Sequence, residues 1–267
     1  MLDNVKSKYI VKKIFESIKN KRKLNIIKYN KRIMINLDIN KKDFEIYIHL
    51  KDFNNKYYIN IKDIDLKEIN LCQRFLGNEE LKDLVKINFN KLEILNLSGN
   101  EISDINILEK VNFKELKILN LGHNKLSDIK VFEKVKFKKL EKLYLNGNEI
   151  SDINSLEKVD FKELKNLNLR KNKISDIKVL EKVKFEQLEE LYLNGNKISD
   201  INILEKVNFK ELKKIDLSYN YISDIKILEK VKVEKLEELY LNGNEIYLHK
   251  YNPIILKLKS LLKRLII

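Results

Sequence analysis

Seven leucines, Leu92, Leu116, Leu140, Leu164, Leu188, Leu212 and Leu236, stand 24 residues apart, and each opens a near copy of one stretch, which reads LEILNLSGNEISDINILEKVNFKE the first time. A fixed period of this length constrains the fold more than any composition does. A single copy cannot bury its own leucines, isoleucines, valines and phenylalanine, so the copies have to stack into a solenoid whose core is a column.

Each copy begins L-x-x-L-x-L-x-x-N, as in Leu140, Leu143, Leu145 and Asn148, with Ile215 replacing the middle leucine in one copy. The last two leucines are two apart and point to one face of a short extended segment, so stacked copies form a parallel sheet about 4.8 Å per strand. Asn100, Asn124, Asn148, Asn172, Asn196, Asn220 and Asn244 follow the strand, where a buried amide satisfies backbone groups of adjacent copies. Ser103-Asp104 and its equivalents precede apolar residues spaced by three, such as Ile105, Leu108 and Val111. This spacing predicts a capped short helix or 3-10 turn on the opposite side. The line of aspartates is read as capping rather than metal binding, because single carboxylates on successive coils lack the converging oxygens calcium needs.

These motifs resemble the leucine-rich repeat family over residues 66–247. The tail Asn100, Ile102, Ile105, Leu108 is similar to the short-repeat class of the phosphatase 1 regulatory leucine-rich subunit and the internalins, with an added Val111-x-Phe113 step. The resemblance implies an α/β right-handed solenoid with a curved parallel sheet on the concave face and short helices or 3-10 turns on the convex face. It also implies a regulatory or adaptor role through a protein partner.

A longer period lies over the first. Copies starting at Leu92, Leu140 and Leu188 carry Ser-Asp-Ile-Asn, and those starting at Leu116, Leu164 and Leu212 carry Ser-Asp-Ile-Lys, so the duplicated unit is a pair of repeats. The formal net charge is +14. Residues 1–32 hold a net +9 and residues 250–267 a net +5, which leaves the span between them neutral. A nucleic-acid reader would carry a basic stripe along its binding face, so no nucleic-acid partner is expected. One cysteine, Cys72, excludes an internal disulfide framework and reads as a small core residue. With no export signal or membrane span in the sequence, a monomer in the cytoplasm or nucleus is expected.

Residues 1–65 read as an N-terminal cap. Ile10, Ile14, Phe15 and Ile18 share a helical face, and Leu24 and Ile27 suggest a second helix. Ile14-Phe15, Leu24, Ile27 and Lys28 resemble an F-box, which implies docking of a cullin adaptor through residues 1–32; a plain helical cap is the other reading. Phe44, Ile46, Ile48 and Leu50 alternate with polar residues and predict a strand, joined through Asn54-Asn55 to a second run, Tyr57 to Ile61, as a β-hairpin. Leu66, Ile69 and Leu71 open a divergent, outermost repeat with Arg74 in place of the ladder asparagine and Leu84, Ile87 and Phe89 as its tail. Residues 248–267 read as a capping helix carrying Ile254, Ile255, Leu258, Leu261, Leu262 and Leu265 on one side, opened by Pro253.

The side chains flanking each buried strand leucine face outward on the concave surface. One row is Asn96, Asn120, Tyr144, Asn168, Tyr192, Asp216 and Tyr240; beside it runs Ile94, Ile118, Lys142, Asn166, Glu190, Lys214 and Glu238. The candidate partner-binding residues are Lys142, Tyr144, Arg170, Lys171, Glu190, Tyr192, Asp216, Tyr219, Tyr221 and Tyr240, since Tyr and Arg carry much of the energy of protein interfaces. No catalytic, cofactor or metal site is assigned: His49, His123 and His249 are far apart, and the NGN and SGN segments are repeat turns. The reading is a non-enzymatic scaffold binding a protein, with a cullin-ligase substrate receptor as the alternative.

Overall fold

Each L-x-L motif becomes a three-residue strand. The computed structural model describes residues 41–57, 61, 66–87, 89–231, 235–247 and 252–267. Among these, nine strands form one parallel sheet in chain order: Glu68–Asn70 (β1), Ile94–Asn96 (β2), Ile118–Asn120 (β3), Lys142–Tyr144 (β4), Asn166–Asn168 (β5), Glu190–Tyr192 (β6), Lys214–Asp216 (β7), Glu238–Tyr240 (β8) and Arg264–Ile266 (β9). Register is strict, with Leu95, Leu119, Leu143, Leu167, Leu191, Ile215 and Leu239 paired in series. All are at most 3% exposed, because a period-2 strand turns its middle side chain into the core.

The ladder asparagines tie successive coils. Asn148 Oδ1 accepts the N–H of Leu126 at 3.0 Å, while its Nδ2 donates to the carbonyls of Leu121 and Leu145 at 3.0 Å. The same set recurs at Asn124, Asn172, Asn196 and Asn220. Arg74 takes no such role; its backbone N–H donates to Asn100 Oδ1, so the ladder begins one coil later. On the opposite side the chain forms 3-10 turns such as Asn106–Lys110, Asn154–Lys158 and Lys178–Glu181. The aspartate caps them from just outside: Asp104, Asp152 and Asp176 each accept, at 2.8 Å, the N–H of the first helical residue two positions on. Serine makes no such bond, and the aspartates are thus committed to the turns. The divergent first coil uses an α-helix, Asn78–Val85 (α2), where the others use a 3-10 turn, which absorbs its two extra residues.

The residue after each opening leucine alternates in sign with the 48-residue period and pairs across coils. Glu93 lies 2.7 Å from both Lys67 and Lys117; Glu141 meets Lys165 at 3.2 Å, Glu189 meets Lys213 at 2.6 Å and Glu237 meets Lys263 at 2.7 Å. Hydrogen bonds from Lys117 and Lys67 hold the Glu93 carboxyl down at about 2. A depressed carboxylate pKa stabilises the fold above its unfolded value, near 4.5, and that contribution is lost as pH falls toward 2. Glu93→Gln is therefore expected to lower the neutral-pH melting temperature slightly and to lose less stability than the parent across that acid interval, so that the two converge near pH 2. An acid limb identical to that of the parent would contradict it.

The chain divides into two compact units, one holding Lys41–Tyr57 with Lys82–Asn88, the other spanning Asp65–Leu81 and Phe89–Ile267. In the first, the expected β-hairpin is absent: Lys41–Tyr57 is an α-helix (α1), and Asn54-Asn55 lies inside it. Leu50, Phe53 and Tyr57 are spaced three and four apart; Leu50 and Phe53 are buried, and the Phe53 and Tyr57 rings stand 4.8 Å apart. That helical spacing overrides the alternation from Phe44 to Leu50. Tyr57 donates to Asp83 at 2.7 Å, Lys56 and Lys86 pair with the same carboxylate, and the Asn54 amide closes a two-way hydrogen bond with the backbone of Ile61. The F-box-like segment, residues 1–32, lies outside the described residues.

At the other end the expected single helix is cut short. The helix Asn252–Leu261 (α3) buries Ile254, Ile255 and Leu258, but Leu265 belongs to β9, which pairs with β8 as a further rung of the sheet. An open parallel edge offers backbone partners that a longer helix would leave unmet, and Arg264–Ile266 takes them. Cys72 also departs from expectation: it is half-buried in the turn after β1 and not in the core.

Candidate functional site

The strand register sets the outward residues in two files. Lys142, Asn166, Glu190, Lys214, Glu238 and Arg264 follow one another on β4 to β9, with Tyr144, Asn168, Tyr192, Asp216, Tyr240 and Ile266 beside them. Over β6 to β9 these side chains form one network. Tyr192 donates its hydroxyl to Glu190 at 2.8 Å, and Tyr240 does the same to Glu238 at 2.8 Å. Lys214 stands between the two rings, 5.5 Å from the Tyr192 centroid and 5.0 Å from that of Tyr240, and pairs with Glu238 at 3.0 Å. The Arg264 guanidinium lies over the Tyr240 ring as well, 5.5 Å from its centroid. Each cation over a ring face is held by the ring quadrupole.

Burial, then the hydrogen bond to Glu190, pushes the Tyr192 phenol up to about 12. Burial works against the charge on Lys214, but the Glu238 carboxylate and the two tyrosines more than offset it and its pKa rises. The hydrogen bond from Tyr240 and then that from Lys214 pull Glu238 down. At neutral pH Lys214 and Glu238 are therefore charged and Tyr192 keeps its proton, and the hydrogen bonds to Glu190 and Glu238 fix the two tyrosines in one orientation, which lowers the entropy lost on binding. Asn166 Nδ2 donates to Glu190 at 2.6 Å, and its Oδ1 is buried without a partner among the described residues.

The other expected residues sit apart from this cluster. Lys142 and Tyr144 lie on β4, two strands from β6, or about 10 Å by strand spacing. Lys142 offers no acceptor to Tyr144 where the later coils have glutamate. Asp216 accepts from the backbone N–H and hydroxyl of Ser218 and so braces its own turn. Arg170, Lys171, Tyr219 and Tyr221 are exposed on the rim formed by the asparagine turns. Sequence reasoning left out Lys214, Glu238 and Arg264. The first two stand 24 residues apart, flanking the chosen tyrosines; Arg264 was hidden by its assignment to a helix.

The rim has its own two-coil rule. The residue before each ladder position has positive φ, and it alternates between a bulky side chain and glycine: Gln73, Gly99, His123, Gly147, Lys171, Gly195, Tyr219, Gly243. Each bulky side chain lies across the glycine of the next coil. A Cβ on Gly147 would stand 2.6 Å from His123 Nδ1, and one on Gly243 2.6 Å from Tyr219 Cδ1. This packing follows the 48-residue period, as the alternating glutamate–lysine pairs do.

On the convex side a groove of about 620 Å³ is lined by Asp176, Lys178, Glu181, Lys182, Asp200 and Lys206 among others. Two of its lysines pair with glutamates of neighbouring coils, Lys182 with Glu157 at 3.5 Å and Lys206 with Glu181 at 4.0 Å. It holds no aromatic anchor, and the concave network is the better built surface.

Stacked coils, a buried asparagine ladder and an outward strand face define a solenoid repeat protein. The chain belongs to the leucine-rich repeat family. Its sequence matches the family model described as "Leucine Rich repeats (2 copies)" at residues 90–134, 114–158 and 162–206, and the one described as "Leucine rich repeat" at residues 186–246, together more than half of the chain. Similar solved structures include an internalin (inlF) from Listeria monocytogenes, 23% identical with a TM-score of 0.53 over 83% of this chain and 67% of that one. Internalin C2 from the same organism is 22% identical, TM-score 0.58, over 73% and 83%. The plant peptide hormone receptor RGFR1, in complex with RGF2, is 23% identical, TM-score 0.51, over 68% of this chain and 29% of the receptor. At these identities the likeness is one of fold. A comparison with curated protein sequences gives no match. Among the described residues, no helix is long and apolar enough to cross a membrane.

Proposed function

We propose that the chain is a non-enzymatic scaffold that binds a protein partner on the concave face of its repeats. The observation that carries this is the network of Glu190, Tyr192, Lys214, Glu238, Tyr240 and Arg264, in which two tyrosines are fixed by carboxylates and braced by a shared cation. Rigid aromatic side chains with a polar end supply much contact area at little entropic cost. The fold supports the reading as well, since the plant receptor that shares it was solved bound to RGF2.

The test uses the full tagged chain as bait in extracts of its source cells. Tyr192→Ala together with Tyr240→Ala is expected to reduce recovery of the main partner at least tenfold, the equivalent of about 1.4 kcal/mol or more. Lys182→Ala on the convex side should leave recovery unchanged. Equal recovery by the tyrosine variant and the parent, with both melting alike, would overturn the concave assignment.

A further inference from the structure

The repeat supplies its own template for the part of the concave face that the network leaves open. Tyr144 and Tyr192 stand to β5 as Tyr192 and Tyr240 stand to β7, one 48-residue unit later. Over β7 the place between the two rings is taken by Lys214, which also pairs with Glu238 at 3.0 Å. Over β5 the equivalent residue is Asn166, a shorter side chain with no charge. Asn166 is covered, 9% exposed, and forms the floor of a saddle between Tyr144 and Tyr192. Glu190, the counterpart of Glu238, accepts from Asn166 Nδ2 at 2.6 Å and from the Tyr192 hydroxyl at 2.8 Å, both on Oε2. Its Oε1 accepts no hydrogen bond, and its carboxylate forms no ion pair, among the described residues. Glu190, Tyr144 and Tyr192 are only half-buried, so solvent reaches all three.

Resting on the protein-binding reading, we infer that this saddle takes a cationic side chain of the partner, arginine or lysine, in the place that Lys214 occupies one unit on. The charge goes to Glu190, a half-buried carboxylate held by neutral donors alone, where a charge-assisted hydrogen bond to Oε1 is still to be made. The rest of the side chain lies between Tyr144 and Tyr192, two strands or about 10 Å apart. At the same strand separation Lys214 stands 5.5 and 5.0 Å from its two ring centroids. An acidic side chain would meet Glu190 as a like charge, and an apolar one would cover that carboxylate without pairing it. Lys142 on β4, one strand from the saddle, opposes an incoming cation, for it stands where the following units carry Glu190 and Glu238. It is exposed, so its ammonium can swing into solvent. The repulsion that remains gives the site a signature that can be measured.

The probes are acetyl-arginine methylamide and its lysine, norleucine and glutamate counterparts, titrated into the full chain with asparagine amides and tyrosine rings labelled for NMR. The arginine and lysine probes are expected to shift the Asn166 amide and the Tyr144 ring along a saturating curve, with a midpoint at least fivefold below that of norleucine. The glutamate probe should shift neither, and the Tyr240 ring, beside a place already taken, should stay where it is. Asn166→Lys supplies the cation from within and should abolish the response. Glu190→Gln should raise the midpoint at least fivefold, and Lys142→Glu, which copies the later units, should lower it several-fold. Lys142→Glu changes an exposed side chain and keeps the test decisive should Asn166→Lys fail to fold. Equal midpoints for arginine and norleucine, equal shifts at Tyr240, a full response in folded Asn166→Lys, or weaker binding by Lys142→Glu would each overturn the inference. The two readings fail separately. Loss of the extract partner by Tyr192→Ala with Tyr240→Ala, beside a saddle that shows no preference for cations, overturns this inference alone. Undiminished recovery of the partner by that variant defeats the concave reading, and with it the partner's claim on the saddle, whatever the titration shows.

Discussion

Asn148→Ala is expected to lower the stability of the repeat unit by about 3–4 kcal/mol, because three buried backbone groups lose their partner at once. The side chain serves Leu126, Leu121 and Leu145 and therefore both its own coil and the preceding one. Alanine leaves one N–H and two carbonyls facing a space with no replacement donor or acceptor. For a unit of this size the loss corresponds to a fall of about 10 °C in melting temperature. Asn148→Asp should be worse, since an acceptor would then face the two carbonyls. Asn154→Ala, at an exposed position on the convex side, is the matched control and should change stability by less than about 0.5 kcal/mol. A loss below about 1 kcal/mol for Asn148→Ala would show that the ladder is not what ties the coils.

The second large effect is expected at Gly147. Its φ of +67° disfavours a side chain, and a Cβ there would press on the His123 ring at 2.6 Å. Gly147→Ala should cost about 2–3 kcal/mol, the sum of backbone strain and the shift forced on His123. His123→Gly in the same chain removes the contact and should return about 1 kcal/mol, leaving the φ cost behind. Thermal or denaturant melts of the two single variants and the double variant form a cycle whose coupling term measures the two-coil packing. Strict additivity would mean that the 48-residue period records duplication alone and not side chains fitted over glycines.

The residues show why some of this was legible and some was not. A strand whose middle leucine recurs every 24 residues fixes its own register, so Lys142, Glu190 and Lys214, or Tyr144, Tyr192 and Tyr240, could be placed in files from the sequence. Asn148 was legible for the same reason: one polar side chain at a constant offset in an apolar column has to satisfy backbone groups. Where the repeat stops, so does the constraint. Between Phe44 and Ile61 both periods fit locally, and the helix is settled by which residues are buried, Leu50 and Phe53, a fact of tertiary packing. β9 was hidden because three residues after a leucine-rich helix carry no pattern of their own; the open edge beside β8 makes them a strand.

The site divides in the same way. The chosen tyrosines stand where they were placed, but what holds them does not appear in any one repeat. The Tyr192 and Tyr240 rings share Lys214 of the coil between them, and Arg264 comes from outside the repeats altogether. The alternation of glycine with His123, Lys171 and Tyr219 is present in the sequence, yet its meaning lies in positive φ and in contact with the next coil, neither of which a one-dimensional pattern displays.

The central claim is that a protein partner lies against the concave strands. A photo-reactive benzoylphenylalanine placed at position 192, at 240 or, on the convex side, at 182 tests it most directly, by irradiation of the full chain in extracts of its source cells. The account expects one adduct of defined mass from positions 192 and 240, out-competed by unlabelled parent chain, and none from 182. An adduct from 182 with none from 192 or 240 would contradict it and move the binding surface to the convex side.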